Sequence, residues 1–156
     1  MSMKLAKGIG LLLVVLCLTS TRAQAAGSLY QRLGEEPGIR LLVDSFVGRV
    51  AADARVNKKF AKANIPRLKK CLVELIVQLG GGPKKYSCRS MKDSHKGMKI
   101  TDAEFNAAVQ DFVWAENKHA VGKSEQKQLA KALLATRKDI VEVSGPAAKA
   151  GTKKRK

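Results

Sequence analysis

Apolar side chains in this chain recur every three or four residues, the spacing that aligns them on one face of an α-helix. The first clear case follows Pro37, a residue that suits the first turn of a helix. Its apolar positions continue until the pattern breaks at 53–57, and they are Ile39, Leu42, Val43, Phe46, Val47 and Val50. No alternating strand pattern persists, so the sequence predicts an all-α fold.

Three more long helices are predicted downstream. One begins near Pro66 and ends at the glycine run 80–82, with an apolar stripe of Leu68, Leu72, Leu75, Ile76 and Leu79. The next begins at the capping box Thr101-Asp102-Ala103-Glu104 and is expected to bury Phe105, Ala108, Val109, Phe112 and Val113. Ser124 is expected to cap the last helix, which runs to Val143. Phe60 falls in a short irregular connection, and residues 84–99 form a loose polar connector that carries His95.

The first 25 residues have the composition of a secretory signal peptide. Lys4 and Lys7 precede a short apolar core, and Ala23-Gln24-Ala25 is a small-x-small cleavage site. We therefore expect cleavage after Ala25 and export to the periplasm or the medium. The alternative is an uncleaved amphipathic anchor, whereas a lipoprotein site at Cys17 is rejected because Leu16 before it is bulky.

Charge divides the remaining chain into a domain at 26–144 and a basic tail at 145–156. The formal net charge is +17, of which three positive charges leave with the signal and five lie in the tail, so the domain keeps +9. The tail has no apolar periodicity and is expected to be disordered. A solvated end is the favoured interpretation, with weak contact with anionic surfaces as the alternative. Export argues against a nucleic-acid partner.

Only two histidines are present, and His95 stands in the connector just before Lys96-Gly97. A lone histidine is usually a surface or core residue, but this one follows a flexible segment, opposite an apolar helix face. A neutral imidazole in such a pocket can hold haem iron. No Cys-x-x-Cys-His sequence supports covalent haem, and no paired ligand spacing indicates zinc. His119 lies in a polar segment and is expected to be exposed.

Several short motifs follow one another in order across residues 28–143. They are Ser28-Leu29-Tyr30-Gln31-Arg32-Leu33-Gly34, Phe60, Arg67-Leu68-Lys69, the run from Gly80 to Pro83, Tyr86, Met91-Lys92, His95-Lys96-Gly97 and Ile100-Thr101. In this order and spacing they resemble the group 1 truncated haemoglobins. The resemblance implies a truncated globin, a two-over-two helical sandwich around haem b, with His95 as the iron ligand. It also implies a cofactor pocket formed by Phe46, Val47, Phe60, Leu68, Leu72, Ile76, Tyr86, Met91, Lys92 and Phe105. Lys92 is expected to meet a haem propionate.

The distal side of the implied pocket departs from the family. Members usually place a tyrosine on the early helix and often a glutamine on the facing helix. Here, Val47 takes the tyrosine position, and Leu68 and Leu72 lie on the facing wall. The early glycine pair is also reduced to Gly34-Glu35. The expected distal pocket is therefore apolar.

Cys71 and Cys88 remain after cleavage, and the sequence leaves open whether they form a disulfide or two separate thiols.

The favoured function is reversible binding of oxygen, nitric oxide or carbon monoxide at a pentacoordinate haem iron, with an unidentified reductant and no catalytic residue. The protein is expected to be a monomer. One alternative is a nitric oxide dioxygenase or peroxidase-like enzyme on the same fold. Another is a basic helical binding module without haem.

Overall fold

A computed structural model describes residues 27–144, so the predicted signal peptide and basic tail lie outside the described residues. Within this range the chain forms eight helices and no strand. They are α1 (Leu29–Arg32), α2 (Glu35–Ala52), α3 (Asn57–Phe60), α4 (Ile65–Leu79), α5 (Met91–His95), α6 (Asp102–Lys118), α7 (Lys123–Ala135) and α8 (Arg137–Ile140). An isolated parallel bridge joins Thr101 to Val143. No helix between residues 27 and 144 is both long and apolar enough to cross a membrane.

The four long helices form two packed pairs. Helix α2 packs against α4 in one pair and α6 against α7 in the other, and α2 also lies against α6, which joins the pairs. This arrangement confirms the all-α, two-over-two sandwich. The two short helices α5 and α8 pack against each other beside it.

Helix α2 occupies the centre because its apolar face is buried along its full length. Ile39, Leu42, Val43 and Val50 are at most 2% exposed, as the helical spacing of the sequence predicts. Each such side chain contributes roughly 1.5–3 kcal/mol by leaving water. The core built on α2 therefore fixes where α4 and α6 lie.

The predicted helix ends at Pro66, Thr101 and the glycine run are confirmed. Pro66 stands in the first turn of α4, and the capping box at Thr101 forms with Glu104. At the other end of α4, the Tyr30 N–H donates to the Gly80 carbonyl at 2.8 Å. A Cβ at Gly80 would lie 2.8 Å from the Tyr30 nitrogen, so only glycine permits this approach.

Five predictions about the helices are wrong. The last helix begins after Gly122, not at Ser124, and it breaks at Thr136, where the hydroxyl donates to the Leu133 carbonyl and a separate turn, α8, follows. Phe60 lies in the short helix α3 rather than in an irregular connection. Leu79 and Val113 are exposed, because each lies off the buried face of its helix.

A candidate haem pocket around His95

The last residue of α5 is His95, and a backbone carbonyl fixes which nitrogen of the neutral ring carries the proton. The side chain is half-buried, and Nδ1 lies 2.7 Å from the carbonyl oxygen of Met91, one turn earlier. A carbonyl only accepts hydrogen bonds, so Nδ1 must carry the proton. The neutral ring then has its lone pair on Nε2, the form that binds a metal. Nε2 has no hydrogen-bond partner within residues 27–144.

The loop after His95 is held by two distant side chains. The Glu142 carboxylate accepts the N–H groups of Gly97 at 2.7 Å and Lys99 at 2.6 Å. From the other side, Lys59 Nζ donates to the carbonyls of Met98 at 2.9 Å and Lys99 at 3.1 Å. We call Glu142 and Lys59 the proximal latch. Both residues were missed by sequence analysis, in which they have the appearance of ordinary surface charges.

The proximal latch holds a loop that would otherwise be costly to order. Gly97 has φ +80° and Lys99 has φ +50°, so two residues adopt the left-handed region within a three-residue stretch. Lys59 Nζ also lies 3.3 Å from the carboxylate of Glu104 at the start of α6. The hydrogen bonds that Glu142 accepts from the Gly97 and Lys99 backbone hold the pKa of its carboxyl below the usual value. The latch therefore fixes the segment after His95 to α3 and α6.

The apolar side chains predicted to line the pocket lie on three helices and belong to two hydrophobic clusters. Val47 on α2 and Ile76 on α4 are buried, whereas Phe46, Phe60, Leu68 and Leu72 are only half-buried. Phe46 packs edge-on against Phe112, with ring centroids 5.4 Å apart. Large side chains that stay half-buried on α2, α3 and α4 offer hydrocarbon surface to a further apolar group.

Comparison with known proteins identifies the family of this chain. Residues 28–142 match the bacterial-like globin family. The chain belongs to this family.

Similar proteins place this globin near group 1 truncated haemoglobins, as the sequence motifs predicted. It is 28% identical to that of Tetrahymena pyriformis over 114 residues, which is 73% of this chain and 94% of the relative. It is 30% identical to that of Tetrahymena thermophila over 116 residues, again covering 73% of this chain and 94% of the relative. The crystal structure of the T. pyriformis protein in its Fe(III) form gives a TM-score of 0.69 and covers 73% of this chain and 97% of that one.

Globins of this family bind haem b, and the residues of this globin fit that group. His95 supplies a ring nitrogen without a partner among the described residues, and Phe46, Phe60, Leu68 and Leu72 are half-buried hydrocarbon side chains that a porphyrin could cover. Lys92 is exposed on α5 and has no carboxylate partner between residues 27 and 144, so it is free to meet a propionate. Lys69, by contrast, pairs with Asp44 at 2.9 Å.

Met91, Phe105 and Tyr86, also predicted to bind the cofactor, make contacts within the protein. Phe105 is buried with Ile100 and Ile140, and Met91 packs against this cluster beneath α5. The Tyr86 hydroxyl donates to the Arg89 carbonyl at 2.6 Å, which folds the connector, and burial raises its pKa. The cluster joins α5 to α6 and α8, and the Tyr86 hydrogen bond lies within the connector that precedes α5.

The connector between α4 and α5 is covalently fixed. Cys71 on α4 and Cys88 form a disulfide with Cα atoms 5.8 Å apart, which settles the question left open by the sequence. Beside it, the Glu74 carboxylate accepts the Ser87 N–H at 3.0 Å and its hydroxyl at 2.7 Å. The chain leading to His95 is thus attached to the helix that carries Leu68 and Leu72.

The second histidine lies elsewhere. His119 Nε2 is 2.8 Å from the Ser45 hydroxyl, and the side chain is half-buried at the end of α6. The expectation that His119 is exposed was wrong, because α2 brings Ser45 against it.

Proposed function

We propose that this globin binds diatomic gases reversibly at a haem b whose iron is held by His95 Nε2 alone. The observation that carries the proposal is the hydrogen bond between His95 Nδ1 and the Met91 carbonyl. It orients the ring and, in the neutral ring, puts the lone pair on Nε2. An iron held by one imidazole keeps its sixth position open.

In this proposal haem b supplies an iron centre that coordinates oxygen, nitric oxide or carbon monoxide. The protein contributes orientation, exclusion of water and charge. The proximal latch keeps the segment after His95 in one conformation, and the disulfide keeps the connector on α4. Val47, Leu68 and Leu72 exclude water from the facing side, and Lys92 neutralises a propionate.

The apolar facing wall supports fast release of oxygen. Val47, Leu68 and Leu72 have hydrocarbon side chains, which donate no hydrogen bond to a polarised ligand. Solved forms of the T. pyriformis protein include substitutions of a tyrosine and of two glutamines, side chains that can donate. We therefore propose that oxygen is retained less tightly here than in relatives with a polar pocket, whereas carbon monoxide is affected less.

The test is the haem content of His95→Ala. Purified wild-type protein should take up one haem per chain, measured by the absorption spectrum and the pyridine haemochrome. His95→Ala should lose most of the haem, whereas His119→Ala, the matched control, should retain it. Equal haem content in wild type and His95→Ala would overturn the ligand assignment. No haem uptake by the wild type would instead favour a basic helical module.

We further propose that the protein is exported. The signal-like composition of residues 1–25 and the disulfide, which forms in oxidising compartments, support this location. N-terminal sequencing of protein from native cells should give Ala26 as the first residue, and an intact Met1 would contradict it.

A further inference from the structure

The positive charge of the folded domain is concentrated in one part of the chain. Residues 56–99 contain twelve lysines and arginines but only two acidic residues, Glu74 and Asp93. The other residues between 27 and 144 carry ten basic and eleven acidic side chains, so they are close to neutral. The excess of +10 at 56–99 therefore accounts for the whole net charge of the domain.

Most of these basic side chains are exposed and have no acidic partner. Lys59, Lys69, Lys70 and Lys84 form ion pairs. The other eight are exposed and lie beyond 4.0 Å from every carboxylate of the described residues. We call these eight the basic rim: Lys58, Lys62, Arg67, Lys85, Arg89, Lys92, Lys96 and Lys99. Like charges gathered without counter-charges repel one another, so the rim costs stability in the free protein.

The basic rim follows the same segments that carry the candidate haem pocket. Lys58 and Lys62 stand beside Phe60, Arg67 beside Leu68, and Lys96 beside His95. Lys59 Nζ bonds α3 to the carbonyls of Met98 and Lys99, so the two ends of the rim adjoin. The disulfide fixes the Lys85 and Arg89 connector to α4. The charge is thus carried by the same segments as the candidate pocket residues, and two of these segments are joined to their neighbours by Lys59 and by the disulfide.

The composition of the rim favours a protein partner over a membrane or a single-stranded nucleic acid. Interfacial membrane binding needs exposed apolar side chains beside the charge, and binding of single strands needs exposed aromatic rings. Of the six large apolar side chains that are exposed between residues 27 and 144, only Leu79 lies within 56–99. The exposed Trp114 is on α6, between Arg49 and Lys118. A rim of charge without apolar surface is typical of transient encounters steered by electrostatics.

We propose that the basic rim is the docking surface for an acidic one-electron carrier protein, the reductant of this globin. The inference rests on the proposed function, because this chain needs such a donor only if it carries haem. In the transfer, the reduced carrier loses one electron and the ferric iron gains it to become ferrous, while no atom or proton moves. The rim supplies the recognition, and its position brings the carrier to the pocket of His95.

The probe is an acidic plant-type [2Fe–2S] ferredoxin, titrated in its oxidised form into the haem-loaded protein by calorimetry. The rim variant combines Lys58→Glu, Lys62→Glu and Lys96→Glu. The matched control combines Lys127→Glu, Lys131→Glu and Lys138→Glu, which make the same charge change at exposed positions of α7 and α8. The rim variant should weaken binding about tenfold or more, whereas the control should change it much less. Wild-type affinity should fall as the ionic strength rises.

Reduction by the reduced ferredoxin should slow in the rim variant in parallel with binding. Reduction by hexaammineruthenium(II), a small cation, should not slow. The proposal would be overturned if both triple variants weakened ferredoxin binding equally. It would also be overturned if the affinity of the wild type did not depend on ionic strength. Tighter binding to phosphatidylglycerol vesicles or to DNA than to ferredoxin would assign the rim to another partner. If the triple variant fails to fold, Lys58→Gln with Lys62→Gln gives the same comparison against Lys127→Gln with Lys131→Gln.

Haem content is measured before each titration, so the two hypotheses fail in different ways. A wild type without haem would refute the proposed function. A haem-loaded wild type whose ferredoxin binding is unaffected by the rim charges would refute the docking surface alone.

Discussion

Glu142 acts on His95 although it touches only the backbone that follows it. Its carboxylate accepts the Gly97 and Lys99 N–H groups across 45 and 43 residues of sequence. An ionised acceptor makes stronger hydrogen bonds than a neutral amide. Removing the charge should therefore loosen the loop while leaving the ligand itself in place.

We predict that Glu142→Gln loses haem severalfold faster than the wild type, measured by transfer to excess apomyoglobin. The folded-state pKa of Glu142 is lowered, so its contribution is present above the unfolded pKa and disappears as the pH falls through the lowered value. The difference between the two proteins should accordingly shrink toward acid pH. Asp139→Asn, on neighbouring α8, is the control and should behave like the wild type. Identical haem loss from Glu142→Gln would show that the latch is unimportant.

Val47 decides the polarity of the facing wall at a buried position, where it is 6% exposed. Val47→Tyr introduces a hydroxyl donor, and a hydrogen bond to a strongly polarised group is worth about 1.5–3 kcal/mol. Oxygen release should slow by roughly tenfold to a hundredfold, with carbon monoxide release nearly unchanged. Flash photolysis and stopped-flow mixing measure both rates. Val47→Phe controls for size, so equal slowing by Phe and Tyr would contradict a donor effect.

At the scale of elements, the disulfide joins α4 to the connector that leads to α5. It closes a loop with a sequence separation of 17 residues. The entropy of closing such a loop in the unfolded chain is worth about 3 kcal/mol. Cys71→Ser with Cys88→Ser should lower the free energy of unfolding by about this amount, measured by urea denaturation. Chemical reduction of the wild type should give the same shift, and an unchanged midpoint in both experiments would contradict the prediction.

The long helices could be predicted from the sequence because their signals are local. Pro66 marks the start of α4, and the capping box at Thr101 marks the start of α6 with four consecutive residues. The apolar spacing along α2 identified the buried face of that helix. The break at Thr136 could not be predicted, since neither glycine nor proline marks it and Leu133 to Ile140 keeps helical spacing. There the Thr136 hydroxyl donates a hydrogen bond to the Leu133 carbonyl and competes with the backbone hydrogen bonds of the helix.

The candidate site divides in the same way. His95 could be found because a histidine before a glycine, after a polar connector, is a short pattern. Lys59 and Glu142 could not, because a lysine and a glutamate on polar segments resemble solvated charges until the fold brings them to the loop. Likewise, Ser45 meets His119 across 74 residues, so no local pattern predicts that contact.

At the scale of the whole molecule, stability should depend on a buried carboxyl on α6. Glu116 on α6 is 1% exposed, and its Oε1 atom has no hydrogen-bond partner within the described part of the chain. Burial raises its pKa to about 7, and Lys123 only partly offsets this. The folded protein therefore holds a proton that the unfolded chain releases above pH 4.5.

Because this pKa is raised, stability should fall as the pH rises from about 4.5 to about 7. Glu116→Gln removes the ionisation and should be more stable than the wild type at pH 8, by an amount on the order of 3 kcal/mol, with no difference at acid pH. Urea unfolding across this range measures it. Glu35→Gln, at an exposed position, is the control. A wild type that matches Glu116→Gln at every pH would contradict the raised pKa.

The bridge between Thr101 and Val143 has a practical consequence for labelling. The Val143 N–H donates to the Ile100 carbonyl at 3.1 Å, and Ile100 follows His95 by five residues. Ser144 is therefore within about 30 Å of His95 whatever path the chain takes. A fluorophore attached there would be within range of energy transfer to a porphyrin. Since Cys71 and Cys88 are joined to each other, a thiol introduced at that position would be the reactive one on the domain, and the emission of its dye would report haem occupancy in real time.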